Sequence, residues 1–183
     1  MKDLKVVFMG TPIFCVPILK SLIKNCNVIG VVTQPDKPVG RKKKVVYSAV
    51  KKLALKHNIK LFQPKKIVDN YKGILELEPD IIITCVYGQF IPKEMLESPK
   101  YKCINVHPSL LPKLRGGAPI HHAIMRGHKK TGVTIMYMTE KMDAGPIISQ
   151  RETEISFTDN VGDLHDRLSI IGRDLLMETL PNI

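Results

Sequence analysis

Val6–Met9, Val28–Thr33 and Ile81–Cys85 are apolar runs without alternation, each bounded by turn residues and separated by segments of helical period. A strand that is apolar at successive positions has to be covered on both faces, which an open antiparallel sheet does not provide and a parallel sheet flanked by helices does. Between the first two runs, Ile18, Leu19, Leu22 and Ile23 recur at helical spacing as far as Lys24, with Pro12 and Pro17 near the start, where proline is tolerated. The rhythm continues. Ser48 is placed to cap a helix running to about His57, Lys60–Phe62 gives a brief strand, and a helix is expected from Tyr71 to Leu77. Pro79–Cys85, a short helix from about Pro92, and Cys103–His107 complete the pattern. Strands alternating with helices predict an α/β fold with a doubly wound, mainly parallel sheet, and such sheets take ligands beyond the carboxyl ends of their strands.

The last third changes character. Gly132–Tyr137 and Ile147–Ile155 alternate in period two around Asp143-Ala-Gly145-Pro146, so an antiparallel, hairpin-like excursion is expected near the C-terminal end. Asp159 and the apolar positions Val161, Leu164, Leu168, Ile171, Leu175 and Leu176 predict a long final helix opened by a capping residue. At 183 residues the chain suits one domain, 1–183.

Several function classes are unfavoured. No apolar run approaches the length that crosses a bilayer, and the short stretch ending at Gly10-Thr11-Pro12 stops too early for a secretory signal, so a cytoplasmic protein with no membrane partner is expected. Cys15, Cys26, Cys85 and Cys103 are far apart with no matching histidine spacing, which predicts reduced core thiols and neither disulfide nor metal. A single glycine after the first strand is neither a dinucleotide fingerprint nor a phosphate-binding Walker sequence, so no dinucleotide or ATP is expected.

Charge is uneven. Of the formal +11, nearly all comes from residues 36–66, where eleven Lys or Arg face the single acid Asp36. Arg41, Lys42, Lys43 and Lys44 follow Pro35-Asp-Lys-Pro-Val-Gly40, a turn-forming sequence that reads as an exposed loop. That loop fits a polyanion contact, or else a solvated lysine-rich surface. Lysines 51, 52, 56 and 60 read as the solvent face of the second helix.

The chemistry-bearing stretch is Asn105-Val-His107-Pro-Ser-Leu-Leu-Pro112-Lys-Leu-Arg115-Gly116-Gly117-Ala-Pro119. Asn105 and His107 are two apart, so both side chains leave one face of an extended strand. Two polar groups at the end of an otherwise buried strand require partners: either a shared ligand atom, or the ordinary satisfaction of a core histidine beside a turn asparagine. Asp143, taken alone, reads equally as a turn residue.

Taken together, Phe8-Met-Gly-Thr-Pro12 with Phe14, Val32-Thr-Gln-Pro-Asp36 into Gly40-Arg41, Tyr87-Gly88, Asn105-x-His107, Ser109-Leu-Leu-Pro112 with Arg115-Gly116, and Met142-Asp143 resemble the 10-formyltetrahydrofolate-dependent formyltransferases, over nearly the whole chain. Among these, the members that act on methionyl initiator tRNA match best. The resemblance implies a Rossmann-like sheet of the formyltransferase fold, with Asn105, His107 and Asp143 as the catalytic set. It implies a folate site lined by Tyr87, Gly88, Gln89, Phe90, Ile91, Ser109, Leu110, Leu111 and Pro112, and tRNA contacts from Arg41, Lys42, Lys43 and Lys44. Gly10, Thr11 and Pro12 would form a loop at the substrate end. The co-substrate would be 10-formyltetrahydrofolate with no metal, the acceptor the α-amine of methionyl initiator tRNA, and the protein a monomer. Related members act on glycinamide ribonucleotide or amino-sugar nucleotides; Gly-Thr-Pro in place of a glycine-rich phosphate loop speaks against the former, and four consecutive cations against the latter. A non-catalytic tRNA-binding module is the remaining alternative. The tRNA-acting members also carry a C-terminal β-barrel domain that these residues do not include, so the chain by itself is expected to transfer formyl slowly with a raised requirement for tRNA.

Overall fold

A computed structural model describes residues 1–41 and 43–183. The elements are β1 (Lys5–Gly10), α1 (Val16–Asn25), β2 (Asn27–Val32), β3 (Lys37–Val39), β4 (Lys44–Val46), α2 (Ala49–Lys56), β5 (Leu61–Phe62), α3 (Lys72–Leu75), β6 (Ile81–Cys85), α4 (Lys93–Glu97), β7 (Cys103–His107), α5 (Pro119–Met125), β8 (Lys130–Tyr137), β9 (Ile147–Glu154) and α6 (Val161–Thr179). The main sheet has the order β5-β2-β1-β6-β7-β8-β9, parallel through β7 and antiparallel for β8 and β9. The expected doubly wound sheet with an antiparallel excursion is therefore what the chain forms. From β1 the chain builds first toward β2 and later toward β6, so the order reverses between β1 and β6.

Alternation along the central strands divides the interior into two cores. Val6, Phe8, Ile81, Ile83, Ile104 and Val106 join one that is closed by α1, α2 and α6. Val7, Met9, Ile82 and Cys103 join the other, with Ile74 of α3 and Met95 and Leu96 of α4. This is the physical reason for the unalternated runs: each residue of β1 and β6 has a helical layer to face. Fully burying one such side chain stabilises by roughly 1.5–3 kcal/mol, so neither face tolerates a polar residue without a partner.

Several local expectations are corrected. Asp159 does not cap the last helix; Asn160 does, its Oδ1 accepting from Asp163 N and its own N donating to Asp163 Oδ2, both at 3.0 Å. Asp159 instead takes both guanidinium nitrogens of Arg167, at 2.7 and 2.8 Å. The helix expected over Tyr71–Leu77 shrinks to the four residues of α3. β8 does not alternate, because Thr131–Met136 are all buried; the Thr134 hydroxyl is spent on hydrogen bonds rather than on a wet face. β3 and β4 pair as antiparallel strands within the stretch read as an exposed loop, and their residues are exposed. Lys51 is buried at 8% exposure and is not on the solvent face, whereas Lys52, Lys56 and Lys60 are exposed. α5 was not expected at all. Among the described residues no helix is long and apolar enough to cross a membrane.

Candidate active site

On β7 the even positions Ile104 and Val106 occupy the first core, so Cys103, Asn105 and His107 face the other side. Cys103 is covered there with Met95 and Leu96. Asn105 and His107, further along the same face, line a cavity of about 360 Å³. Its walls come from the loop 86–91 after β6, the run 116–119 before α5, Met136 and Met138 of the neighbouring strand and its exit, and the segment 139–143.

Thr84, adjacent on β6, donates from Oγ1 to Asn105 Oδ1 at 2.9 Å. With its oxygen taken, the Asn105 amide presents its NH₂ group toward the cavity, where it has no protein acceptor among the described residues. His107 is 5% exposed, and its Nε2 lies 3.1 Å from the carbonyl of Leu114. A carbonyl only accepts, so Nε2 carries the hydrogen, and Nδ1 carries one only when the ring is cationic. Nδ1 faces Asp143 Oδ2 at 3.8 Å, within ion-pair reach and beyond a direct hydrogen bond. That carboxylate oxygen in turn accepts from Gly116 N at 2.8 Å. The segment Leu114–Gly116 thus grips both residues, the histidine through a carbonyl and the aspartate through an amide.

The backbone around these groups is unusual. Val86, Leu114, Ala118 and Asp143 all adopt left-handed φ, between 46° and 56°, a conformation that costs a non-glycine residue of order 1–3 kcal/mol. Such outliers persist only where surrounding contacts hold them; Val86, Ala118 and Asp143 line the cavity and Leu114 holds His107, while Lys43, Asn58, Glu78 and Lys102 are left-handed elsewhere. Gly145 lets the 139–146 segment close: a Cβ there would stand 1.8 Å from Tyr137 O, while Tyr137 N donates to Pro146 O at 2.9 Å. No other residue type fits that approach, which fixes where Asp143 lies.

The loop 86–91 is pinned by its own hydrogen bonds. Gln34 Nε2 donates to Tyr87 O at 2.8 Å and Gln89 Oε1 accepts from Ile67 N at 2.8 Å. Burial pushes the Tyr87 hydroxyl up to about 12, and that hydroxyl is a buried polar atom with no partner in the protein. Burial likewise pushes the Cys85 and Cys103 thiols well above their ordinary value, which leaves them protonated and poor nucleophiles. All four cysteines are buried and free. Among the described residues, no three His, Cys, Asp or Glu side chains gather as metal ligands would.

The structure brings Asn105, His107 and Asp143 together, with Tyr87, Gly88, Gln89, Phe90 and Ile91 in the same wall. Ser109, Leu110, Leu111 and Pro112 lie outside the lining. Ser109 is fully buried and donates to Lys113 O at 2.7 Å, its carbonyl accepts from Thr134 Oγ1 at 2.7 Å, and Leu111 N donates to the same Thr134 oxygen at 3.1 Å. That stretch braces β7 against β8. Gly10, Thr11 and Pro12 end β1 without lining the cavity, Thr11 Oγ1 accepting from Gln34 N at 3.1 Å. Arg41, Lys43 and Lys44 are exposed on the β3–β4 hairpin, and Lys42 lies outside the described residues. Sequence reasoning missed Thr84, although a lone hydroxyl inside Ile81–Cys85 was a signal. It also passed over Lys113 and Arg126, which with Arg115 are exposed cations in residues 98–139, a stretch that contains no Asp or Glu.

A family model described as formyl transferase matches residues 4–180. The chain belongs to the formyl transferase family. Among its relatives, the methionyl-tRNA formyltransferase of Bacillus subtilis (strain 168) is 57% identical over 182 residues, covering 98% of this chain and 57% of that protein. The methionyl-tRNA formyltransferase of Bacillus cytotoxicus is 59% identical over 181 residues, covering 97% and 58%. The chain thus spans a little over half the length of the curated relatives it matches. Among solved structures, phosphoribosylglycinamide formyltransferase from Bacillus halodurans superposes with a TM-score of 0.81 at 24% identity, covering 97% of this chain and 94% of that one, a likeness of fold.

Proposed function

We propose that this chain carries the chemistry that moves a formyl group from 10-formyltetrahydrofolate to the free α-amine of methionyl initiator tRNA, in the cytoplasm, for translation initiation. The observation that carries the reading is the convergence on one cavity of Asp143 with Asn105 and His107, from which it is distant along the chain. An α-amine with a reference pKa of about 7.7–8.0 is partly neutral at cellular pH and attacks without further activation. As its nitrogen bonds to the formyl carbon, the carbonyl π pair moves to oxygen and a tetrahedral centre forms. The Asn105 NH₂ and a protonated His107 Nδ1 are the donors available for that oxyanion. Asp143, facing His107, balances the imidazolium and accepts the proton lost by the attacking nitrogen, directly or through water. The oxyanion then re-forms its carbonyl, the bond to N10 breaks, and the proton taken up by Asp143 is returned to N10, directly or through water, so that the leaving group departs as tetrahydrofolate. No covalent enzyme intermediate is needed, consistent with the buried, protonated thiols.

The cavity fits the folate. Its apolar wall from Tyr87 to Ile91, with Met136 and Met138, suits a flat heterocycle, and the orphaned Tyr87 hydroxyl is a polar atom still to be satisfied. Cations lie on two sides of the crevice: the hairpin following β2, and Lys113, Arg115 and Arg126 around and after the 116–119 wall. Strands β2 and β7 are three steps apart in the sheet, about 14 Å at ordinary strand spacing, so phosphates of one nucleic-acid end can meet both groups. This distribution favours a polyanion over an amino-sugar nucleotide or glycinamide ribonucleotide as acceptor.

The test is transfer of radiolabelled formyl from 10-formyltetrahydrofolate into methionyl-tRNA, with the two nucleotide acceptors in parallel. Transfer to methionyl-tRNA, abolished in His107→Ala, is expected. Salt-sensitive tRNA binding without any transfer by the unmutated chain would make it a binding module and refute the enzyme reading.

A further inference from the structure

The β3–β4 hairpin stands away from the body of the protein. All six of its strand residues are exposed, and they pair only with one another. What holds it is found at its two roots, and both roots meet the same atom. Asp36, the residue before β3, accepts from Lys51 Nζ through Oδ2 at 2.5 Å. Tyr47, the residue after β4, presents its ring to that Nζ at 3.7 Å from the centroid. Lys51 projects from the first turn of α2, whose cap Ser48 accepts from Lys51 N at 3.0 Å. Gln63 beside β5 completes the anchorage, donating from Nε2 to Asp36 Oδ1 at 3.0 Å and to Gln34 O at 3.2 Å. The Lys51 ammonium holds the Asp36 carboxyl below the usual carboxylate range.

We propose that Lys51 is the clasp of this hairpin: one buried ammonium that binds the incoming leg as an ion pair and the outgoing leg through a cation–π contact, and thereby sets the direction from which nucleic acid meets the cavity. It is a positioning residue, since it touches neither cavity nor substrate. A lysine kept at 8% exposure in a chain with so many free ones is spent on this geometry rather than on attracting phosphates. Tyr47, 47% exposed, is otherwise an unexplained surface aromatic. The tRNA part of the inference rests on the reading of the hairpin under Proposed function, and the clasp itself does not.

The experiment uses the whole chain with Lys51→Met, which keeps the aliphatic stem and removes the charge, and Lys51→Arg, which keeps both. Limited trypsin digestion reads the hairpin directly through cleavage at Arg41, Lys43 and Lys44. Cleavage in Lys51→Met should quicken about tenfold, the scale expected when a partly screened ion pair and a cation–π contact are lost together, and Lys51→Arg should restore much of the resistance. Formyl transfer against tRNA concentration should show KM raised by a similar factor and kcat at saturation within twofold. Unchanged trypsin resistance overturns the clasp. Faster cleavage with an unchanged KM overturns its role in substrate approach. A kcat loss with KM unchanged assigns Lys51 to the chemistry and overturns the positioning role. If the unmutated chain transfers nothing to tRNA, the acceptor reading fails while the digestion result still decides the clasp.

Discussion

Replacing Asp143 by Asn removes one charge and almost no volume. The Gly116 amide, 2.8 Å from Oδ2, keeps an oxygen to donate to, so the loop should stay closed. What disappears is the carboxylate that takes up the amine's proton, and with it the attraction to a cationic His107 at 3.8 Å. Two unit charges at that separation interact by about 4 kcal/mol at an effective dielectric of 20, which is appropriate to a site whose two side chains are 7% and 13% exposed. Since the ring is cationic when it donates through Nδ1 to the developing oxyanion, this attraction is felt in the transition state more than in the ground state, so the loss falls on kcat. Water in the open cavity and the partial dipole of the new amide recover part of it. The expected fall is about 10²–10³, the range seen when one preorganised stabiliser of an oxyanion is lost. Single-turnover formyl transfer with saturating folate and tRNA measures it, with the thermal midpoint as the control for folding. A rate within threefold of the parent at an unchanged midpoint would refute the ion-pair argument.

Two further outcomes follow from the same site. Asn105→Ala deletes the amide NH₂ aimed into the cavity and should lower kcat by about 10²–10³ with little change in folate affinity; a fall confined to KM would place the amide on the substrate rather than on the oxyanion. Tyr87→Phe removes a buried hydroxyl that has no partner, a burden of about 1–3 kcal/mol, so the free protein should melt about 2–4 °C higher for each kcal/mol recovered; a lower melting point in a thermal scan would show that the hydroxyl is satisfied after all.

The sheet was legible because its signal is one of omission: Val6–Met9 and Ile81–Cys85 have no wet face, and two helical layers are the simplest way to give them none. Asn105 and His107 were legible as a pair for the complementary reason, two polar side chains with nowhere dry to go. Asp143 was legible only through the family resemblance, since its arrival opposite His107 depends on a backbone approach at Gly145 that no spacing rule encodes. α5 escaped notice because its start is written in turn residues, with Ala118 in the left-handed region directly ahead of Pro119. Ser109–Pro112, read as part of a ligand wall, lies outside the cavity lining, with Ser109 O, Leu111 N and Leu111 O held by Thr134 and Gln150 of the neighbouring strands. Lys51 reads in sequence like any other lysine; only its distances to Asp36 and Tyr47 separate it from the exposed ones.

Because the carbonyl of Leu114 and the amide of Gly116 belong to adjoining peptide units, the imidazole and the carboxylate share one mechanical support. Displacing that short span cannot retune either group separately: the ring would turn as the carboxylate slides. Substitutions at His107 and Asp143 should therefore be strongly non-additive in a double-mutant cycle. Arg115, exposed, is the residue that joins the two anchoring peptide units.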